Sequence, residues 1–136
     1  MDAPPPSHEL MVRVYYEDTD FSGRVYHASY IRFMERGRTE WLRAMGYDQG
    51  RLVDDQGVAF AVRRLQIDYL GPAVIDDWLR VETRVAALRG AAIEFEQTVT
   101  RDGQTLATAR VLVAALRNGR PMRIPPELRA RLEAAT

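Results

Sequence analysis

The residues best suited to chemistry lie in one block, residues 14–45, where an acidic turn separates a predicted strand from a predicted helix. The turn runs from Glu17 to Gly23, and the first turn of the helix lies near His27 to Tyr30. A carboxylate is therefore close in sequence to a helix N-terminus. Free backbone N–H groups and the positive end of the helix dipole can stabilise a developing oxyanion at such a place.

The composition excludes several other mechanisms. The chain of 136 residues has no Cys, and its 19 basic residues are all Arg. It therefore lacks a thiolate nucleophile, a Cys-ligated metal, a Schiff-base lysine and a P-loop lysine. Its two histidines, His8 and His27, are too few for a His-rich metal site, and no serine lies in a G-x-S-x-G elbow. We predict no metal and no cofactor, so carboxylates and backbone dipoles must carry the chemistry.

The charge pattern and the N-terminal residues narrow the class of protein further. Nineteen basic and 19 acidic residues balance, so nothing indicates a nucleic-acid partner or a polybasic membrane patch. Residues 1–9 lack the basic and apolar regions of a signal peptide, and no run approaches a membrane span. We predict a flexible Pro-rich leader over 1–9, a single domain over 10–136, no integral membrane segment and a cytoplasmic location.

Hydrophobic periodicity predicts one strand, one long helix and then a run of strands. Alternation indicates a first strand over 10–16, and apolar residues at three- and four-residue spacing indicate a helix over 29–45. Hairpin signals join most of the later elements, which are strands over 59–69, 78–87, 91–101 and 105–116 and a helix over 127–134. This order predicts an α+β fold with the helix packed on an antiparallel sheet.

Two expectations concern how the helix and the sheet pack. Gly37 should permit close approach of a strand or a facing helix, whereas Arg38 should lie on the polar side of the helix. One helix cannot cover both faces of a five-stranded sheet. Ile93, Phe95 and Val99 are therefore expected on an exposed face or edge, which predicts self-association.

Several separated motifs occur in an order that is typical of one family. They are V-R-V-Y-Y-E-D-T-D at 12–20, V-Y-H-A-S-Y at 25–30 and E-R-G-R-T-E at 35–40, with Tyr69, Pro72-Ala73, Asp76-Asp77, Arg89-Gly90 and Arg123-Ile124-Pro125 further along. Over nearly the whole chain the sequence resembles the hot-dog-fold acyl-CoA thioesterases of the 4-hydroxybenzoyl-CoA thioesterase class, and within them the YbgC type associated with the Tol-Pal system. The resemblance implies a long helix wrapped by a curved five-stranded antiparallel sheet, dimers joined edge to edge, and often tetramers. It also implies hydrolysis of a short-chain or aromatic acyl-CoA, or of an acyl carrier protein thioester.

The resemblance also implies catalytic roles. It assigns catalysis to Asp20, as nucleophile or general base, and polarisation of the thioester carbonyl to the backbone N–H of His27. The residues alone leave alternatives open, because Asp20 also suits an ordinary turn and the His27 side chain could orient substrate or only pack. Tyr16 could hydrogen-bond the carboxylate or belong to the core. Asp18 is expected to fix the turn by accepting backbone N–H bonds.

Substrate-binding roles are predicted for Phe21, Gly23 and Arg89. Relatives usually carry small residues after the catalytic Asp, so Phe21, which precedes Ser22 and Gly23 here, is expected to narrow the acyl pocket. Arg89 is a candidate for the phosphates of coenzyme A. Glu35 is the alternative catalytic carboxylate, because another hot-dog lineage uses one on the helix. Two other classes stay open: a non-enzymatic hot-dog scaffold that binds acyl carrier protein or Tol-Pal-related partners, and a hot-dog dehydratase.

Overall fold

The computed structural model describes residues 7–51 and 56–136 and shows one antiparallel sheet with a long helix packed against it. The elements are β1 (His8–Arg13), α1 (His27–Ala44), α2 (Gln49–Arg51), β2 (Ala59–Tyr69), β3 (Trp78–Arg89), β4 (Ala92–Arg101), β5 (Gln104–Arg117), β6 (Arg120–Pro121) and α3 (Pro126–Ala134). The strand order is β1-β3-β4-β5-β2, and the short β6 pairs with the end of β5. Three β-bulges interrupt the pairing, and bulges bend the strands that carry them. The predicted α+β class is confirmed.

Helix α1 buries one stripe of its surface, as its periodicity predicts. The largest buried side chains of the stripe are Phe33, Met34 and Trp41, and the Trp41 ring lies 6.2 Å from that of Phe95 on β4. At Gly37 an added Cβ would lie 2.9 Å from both Thr83 Oγ1 and Val81 Cγ1 of β3. The expectation that Gly37 permits close approach of a strand is confirmed.

The predicted position of Arg38 is wrong. Its side chain is buried rather than solvated, since only 8% of the residue is exposed. One guanidinium nitrogen donates to Gln97 Oε1 at 2.9 Å, while Gln97 Nε2 donates to Met34 O and Thr83 Oγ1, each at 2.8 Å. The hydrogen bond to Gln97 on β4 therefore holds the Arg38 side chain between α1 and the sheet.

The predicted exposure of the apolar residues of β4 is also wrong. These residues lie beneath α1 and are buried: Ile93, Phe95 and Val99. Side chains alternate between the two faces of a strand, so Glu94 and Glu96 point to the opposite face, where Arg110 pairs with them at 3.1 and 2.5 Å. The uncovered face of the sheet is therefore charged, and self-association cannot rest on those three residues.

The first strand begins and ends earlier than predicted. It starts at His8, inside the predicted leader, whose residues 1–6 lie outside the described part of the chain. It ends at Arg13, and a 3₁₀ turn follows at Tyr16–Asp18. This turn is closed by Asp18 Oδ2, which accepts the Tyr15 N–H at 2.8 Å. The expected structural role of Asp18 is confirmed.

Strands β1 and β2 form the two edges of the sheet. On its outer side, β2 has no strand partner among residues 7–51 and 56–136.

Over the same residues, neither α1 nor any other helix combines the length and hydropathy that a membrane crossing needs.

Candidate active site

Asp20 lies at the start of a tight hairpin that leads into α1. The hairpin is closed by a bridge between Thr19 and Val25 and by the Asp20 N–H, which donates to Arg24 O at 2.9 Å. Inside it, the Gly23 N–H donates to Asp20 O at 2.9 Å. Gly23 has a φ of +81°, a left-handed conformation that residues other than Gly rarely adopt. Gly23 therefore shapes the hairpin that presents Asp20.

A second loop, residues 70–77, holds the hairpin in place. The Val25 N–H donates to Ala73 O at 2.8 Å, and Arg24 forms a bridge with Val74. The loop itself is tied by Asp77, whose Oδ2 accepts the Val74 N–H at 3.0 Å and a guanidinium N–H of Arg101 at 2.7 Å. The position of Asp20 is thus linked through two layers of hydrogen bonds to β4.

The Asp20 carboxylate is exposed, and Ser22 binds it twice. Asp20 Oδ1 accepts the Ser22 hydroxyl at 2.5 Å and the Ser22 backbone N–H at 2.8 Å. These two hydrogen bonds lower the pKa of the Asp20 carboxyl below its usual value, and the charges of His27 and Arg24 add to the effect. Asp20 is therefore ionised at neutral pH, as a nucleophile or a general base must be.

Removing the Ser22 hydroxyl is expected to move the acid limb of the activity profile. A nucleophile or general base acts in its ionised form, so with Asp20 in either predicted role the activity would fall as the pH falls through the Asp20 pKa. Ser22→Ala deletes the largest cause of the lowered pKa, so the acid limb of kcat/KM should shift to higher pH. Ser22→Thr, which keeps the hydroxyl, is the control. Identical limbs in wild type and Ser22→Ala would show that another group controls the profile.

The N-terminus of α1 supplies the electrostatic counterpart of Asp20. His27 is the first helical residue, and the side chain of the preceding Tyr26 makes no capping hydrogen bond. The first N–H groups of a helix cannot bond within it, and they carry the positive end of the dipole. Helix α1 begins two residues after Val25, whose bridge with Thr19 closes the hairpin of Asp20. The sequence prediction that the first turn of the helix lies near His27 is confirmed, and the placing of the carboxylate beside it stays a prediction.

Tyr69 reaches the same place from the end of β2, and the sequence analysis did not select it as a site residue. Its hydroxyl donates to His27 O at 2.7 Å, and its ring lies edge-on to the His27 ring at 6.2 Å. A second edge contact joins Tyr69 to the buried Tyr30 at 5.5 Å. This tyrosine fixes the first residue of the helix from the sheet side.

The other predicted site residues are only partly brought together. Tyr16 lies in the 3₁₀ turn with 82% of its surface exposed, and within the described structure its hydroxyl makes no hydrogen bond to Asp20. Phe21 is fully exposed, so in one chain it borders no pocket. Both roles stay predictions.

Arg89 lies at the opposite end of β3 from the hairpin. The start of β3 adjoins the site, because the Val14 N–H donates to Asp77 O, directly before Trp78. Strands rise about 3.3 Å per residue, so the length of β3 separates Arg89 from this region by roughly 35 Å. Arg89 instead pairs with Glu94 at 3.5 Å. A single chain therefore does not join Arg89 to Asp20.

Metal ligands are not grouped in the part of the chain that the structure describes. No three His, Cys, Asp or Glu side chains there come together as a metal ion would require. The absence of a metal stays a prediction.

Comparisons with known proteins identify the family of this chain. The thioesterase-like superfamily matches residues 14–132. The chain is 48% identical to the acyl-CoA thioesterase YbgC of Haemophilus influenzae, covering 88% of this chain and 89% of that one. A probable thioesterase from Bartonella henselae superposes with a TM-score of 0.85 at 41% identity, over 88% of this chain and 99% of that one. A thioesterase from Thermus thermophilus, complexed with coenzyme A and Zn, superposes with a TM-score of 0.83 at 28% identity, over 96% of this chain and 93% of that one. The expected hot-dog fold is confirmed, and the chain belongs to the thioesterase-like superfamily.

Proposed function

We propose that this protein hydrolyses an acyl-CoA thioester, with a short-chain or aromatic acyl group, to the free acid and coenzyme A. The observation that carries the proposal is the Asp20 carboxylate, bound twice by Ser22, in the hairpin that leads directly into the N-terminus of α1, which no side chain caps. The name of the Haemophilus influenzae relative and the coenzyme A complex of the Thermus thermophilus thioesterase support a coenzyme A thioester as substrate.

The proposed reaction uses the helix start as an oxyanion site. The His27 backbone N–H donates to the thioester carbonyl oxygen, and the helix dipole stabilises the charge that develops there. As nucleophile, an Asp20 oxygen bonds to the carbonyl carbon, the C–S bond breaks, and coenzyme A leaves as thiolate. Water then hydrolyses the mixed anhydride. As general base, Asp20 instead takes a proton from the water that attacks the same carbon, and the adduct then breaks its C–S bond and releases coenzyme A, which receives that proton.

The remaining residues have narrower proposed roles. Tyr16 hydrogen-bonds the carboxylate or the acyl group after a change of rotamer, and Phe21 narrows the acyl site once a second surface covers it. Gly23 lets the thioester approach the hairpin closely, because without a side chain the space beside its Cα, where an added Cβ would meet no atom of the chain within 4 Å, stays open. A contact between Arg89 and the phosphates of coenzyme A would have to come from a second subunit, because of the length of β3.

A thioester panel tests the proposal. Purified protein is mixed with acetyl-, hexanoyl-, benzoyl- and palmitoyl-CoA and with an acyl carrier protein thioester, and thiol release is followed with a chromogenic disulfide. We expect turnover of short or aromatic acyl-CoA at kcat of about 1 s⁻¹ or more. No release above background from any substrate would contradict the enzyme assignment and favour a scaffold.

We further propose a homodimer formed through the free edge of β2, with tetramers assembled from such dimers. An 11-residue strand without an outer partner in the described structure is a template for pairing with another chain. Asp20, Phe21 and Tyr16 are exposed in one chain, whereas a site closed to bulk water strengthens the electrostatic interactions of catalysis. A second copy would provide that cover.

Light scattering on a size-exclusion column tests the dimer. We expect twice or four times the mass of the chain. Arg63 is the extra residue of the β2 bulge and has no partner on β5, so Arg63→Pro should weaken the outer edge more than the fold and increase the monomer on dilution. Arg63→Ala, which keeps the backbone N–H, is the control. A wild-type monomer at tens of micromolar would refute the dimer.

A further inference from the structure

The start of α1 lacks the side-chain cap that usually stabilises a helix N-terminus. The N-cap residue, Tyr26, makes no side-chain hydrogen bond, and the first turn contains no acidic residue. A Ser, Thr, Asp or Asn at the N-cap would accept an N–H of the first turn and hold that turn in place. Within residues 7–51 and 56–136, no acceptor binds the N–H groups of His27 and Ala28. Because helix ends without such contacts fray, this start needs another anchor.

Tyr69 provides an anchor of a different kind. Its hydroxyl donates to the carbonyl oxygen of His27 at 2.7 Å, and its ring packs edge-on against the His27 ring. A capping side chain would occupy the N–H groups that a developing oxyanion needs. Tyr69 instead holds the helix start through a carbonyl, which leaves those N–H groups free for a ligand.

The same hydrogen bond strengthens a donor at the helix start. The carbonyl oxygen of His27 and the N–H of Ala28 belong to one peptide unit, and donation to the oxygen polarises the whole unit. A carbonyl oxygen has two lone pairs, so His27 O can accept both the Tyr69 hydroxyl and the helical N–H of Ile31. The hydroxyl therefore adds to the helix hydrogen bond rather than replacing it.

Tyr69 is itself held firmly by the sheet. It ends β2 opposite Ala107 of β5, and the N–H of the next residue, Leu70, donates to Leu106 O at 2.8 Å. Its ring also packs edge-on against the buried Tyr30. Burial raises the pKa of the Tyr69 hydroxyl, so the group stays protonated and able to donate at neutral pH.

We propose that Tyr69 is a positioning residue, whose hydroxyl anchors the first residue of α1 and keeps the free N–H groups of the helix start aimed at the thioester carbonyl. This inference rests on the proposed thioester hydrolysis. Tyr69 acts through His27 and not on the substrate. Loss of its hydroxyl should therefore slow the chemical step and leave substrate binding unchanged.

Tyr69→Phe tests this role, because it removes the hydroxyl and keeps the ring. We expect kcat for the best acyl-CoA to fall roughly tenfold, while the Kd of that acyl-CoA stays within about threefold of wild type. Tyr47→Phe is the matched control, since Tyr47 lies just beyond the other end of α1 and also packs against the core. It should keep the wild-type kcat. An unchanged kcat in Tyr69→Phe, or an equal loss in Tyr47→Phe, overturns the proposal.

Amide hydrogen exchange of Ile31, measured by NMR without substrate, tests the anchor separately. The Ile31 N–H bonds to His27 O in a regular helix, so it should exchange roughly tenfold faster in Tyr69→Phe and at the wild-type rate in Tyr47→Phe. The amide of Trp41, in the middle of α1, should be unaffected in both. Equal Ile31 exchange in wild type and Tyr69→Phe overturns the proposal even if kcat falls. No thiol release by wild type would instead refute the proposed hydrolysis, and the Ile31 exchange would still decide whether Tyr69 anchors the helix.

Discussion

Replacing Asp20 with Asn is expected to lower kcat by roughly several-hundred-fold and to leave the fold intact. The side chain is exposed, and its hydrogen bonds are to Ser22, two residues away. An amide of the same shape can keep the turn, but it can neither attack a carbonyl carbon nor take a proton from water. The loss corresponds to about 4 kcal/mol of transition-state stabilisation. Steady-state thiol release gives kcat, and thermal unfolding followed by circular dichroism reports on the fold.

Glu17→Gln is the matched control for this substitution. Glu17 is an exposed carboxylate three residues earlier, in the 3₁₀ turn, and the account gives it no chemical role. Its kcat should stay within about threefold of wild type. If Asp20→Asn instead kept more than a tenth of the wild-type kcat, Asp20 would be a turn residue, and Glu35→Gln would be the next variant to measure.

Replacing Gly37 with Ala is expected to destabilise the protein by about 2 kcal/mol, although Ala is the better helix former by about 1 kcal/mol. The added Cβ would lie 2.9 Å from Thr83 Oγ1 and Val81 Cγ1 and 3.2 Å from Gln97 Nε2. The two contacts at 2.9 Å are with the short β-branched side chains of Thr83 and Val81. Both lie on β3, which is paired on both sides, so moving them away from the added Cβ costs free energy. Urea denaturation measures the free energy of unfolding.

Gly90→Ala provides the comparison at a glycine that is not crowded. Gly90 lies in the turn between β3 and β4, has no positive φ, and an added Cβ there would meet no atom within 4 Å. Its free energy of unfolding should stay within about 0.5 kcal/mol of wild type. Equal stabilities for Gly37→Ala and wild type would mean that α1 can move away from β3 at little cost.

Local signals explain why much of the fold could be predicted from the sequence. The spacing of apolar residues in α1 is set by the helix itself, and Asp102-Gly103 adopts the positive φ values that its hairpin turn needs. Alternation separates Ile93 and Phe95 from Glu94 and Glu96, but it does not say which face a distant helix will cover. The prediction that Ile93 and Phe95 are exposed was therefore wrong.

Distance along the chain also limits what could be predicted of the site. Asp20 and His27 are near each other in sequence, and the turn and the helix start that carry them followed from local signals. Tyr69 bonds to His27 across 42 positions, and Arg38 bonds to Gln97 across 59, so only the sheet topology brings each pair together. The affinity of arginine for phosphate, which suggested Arg89, says nothing about its distance from the site, and within one chain β3 holds Arg89 far from Asp20.

Single-turnover thiol release tests the central claim most directly, because it isolates the chemical step from product release. Enzyme in excess is mixed rapidly with the best acyl-CoA of the panel, for wild type and for Asp20→Asn, and binding is measured separately. The account predicts the release of one thiol per substrate molecule. In Asp20→Asn the rate constant should fall roughly several-hundred-fold, whereas the Kd for the acyl-CoA should stay within about threefold of wild type. A rate constant that is unchanged in Asp20→Asn would contradict it.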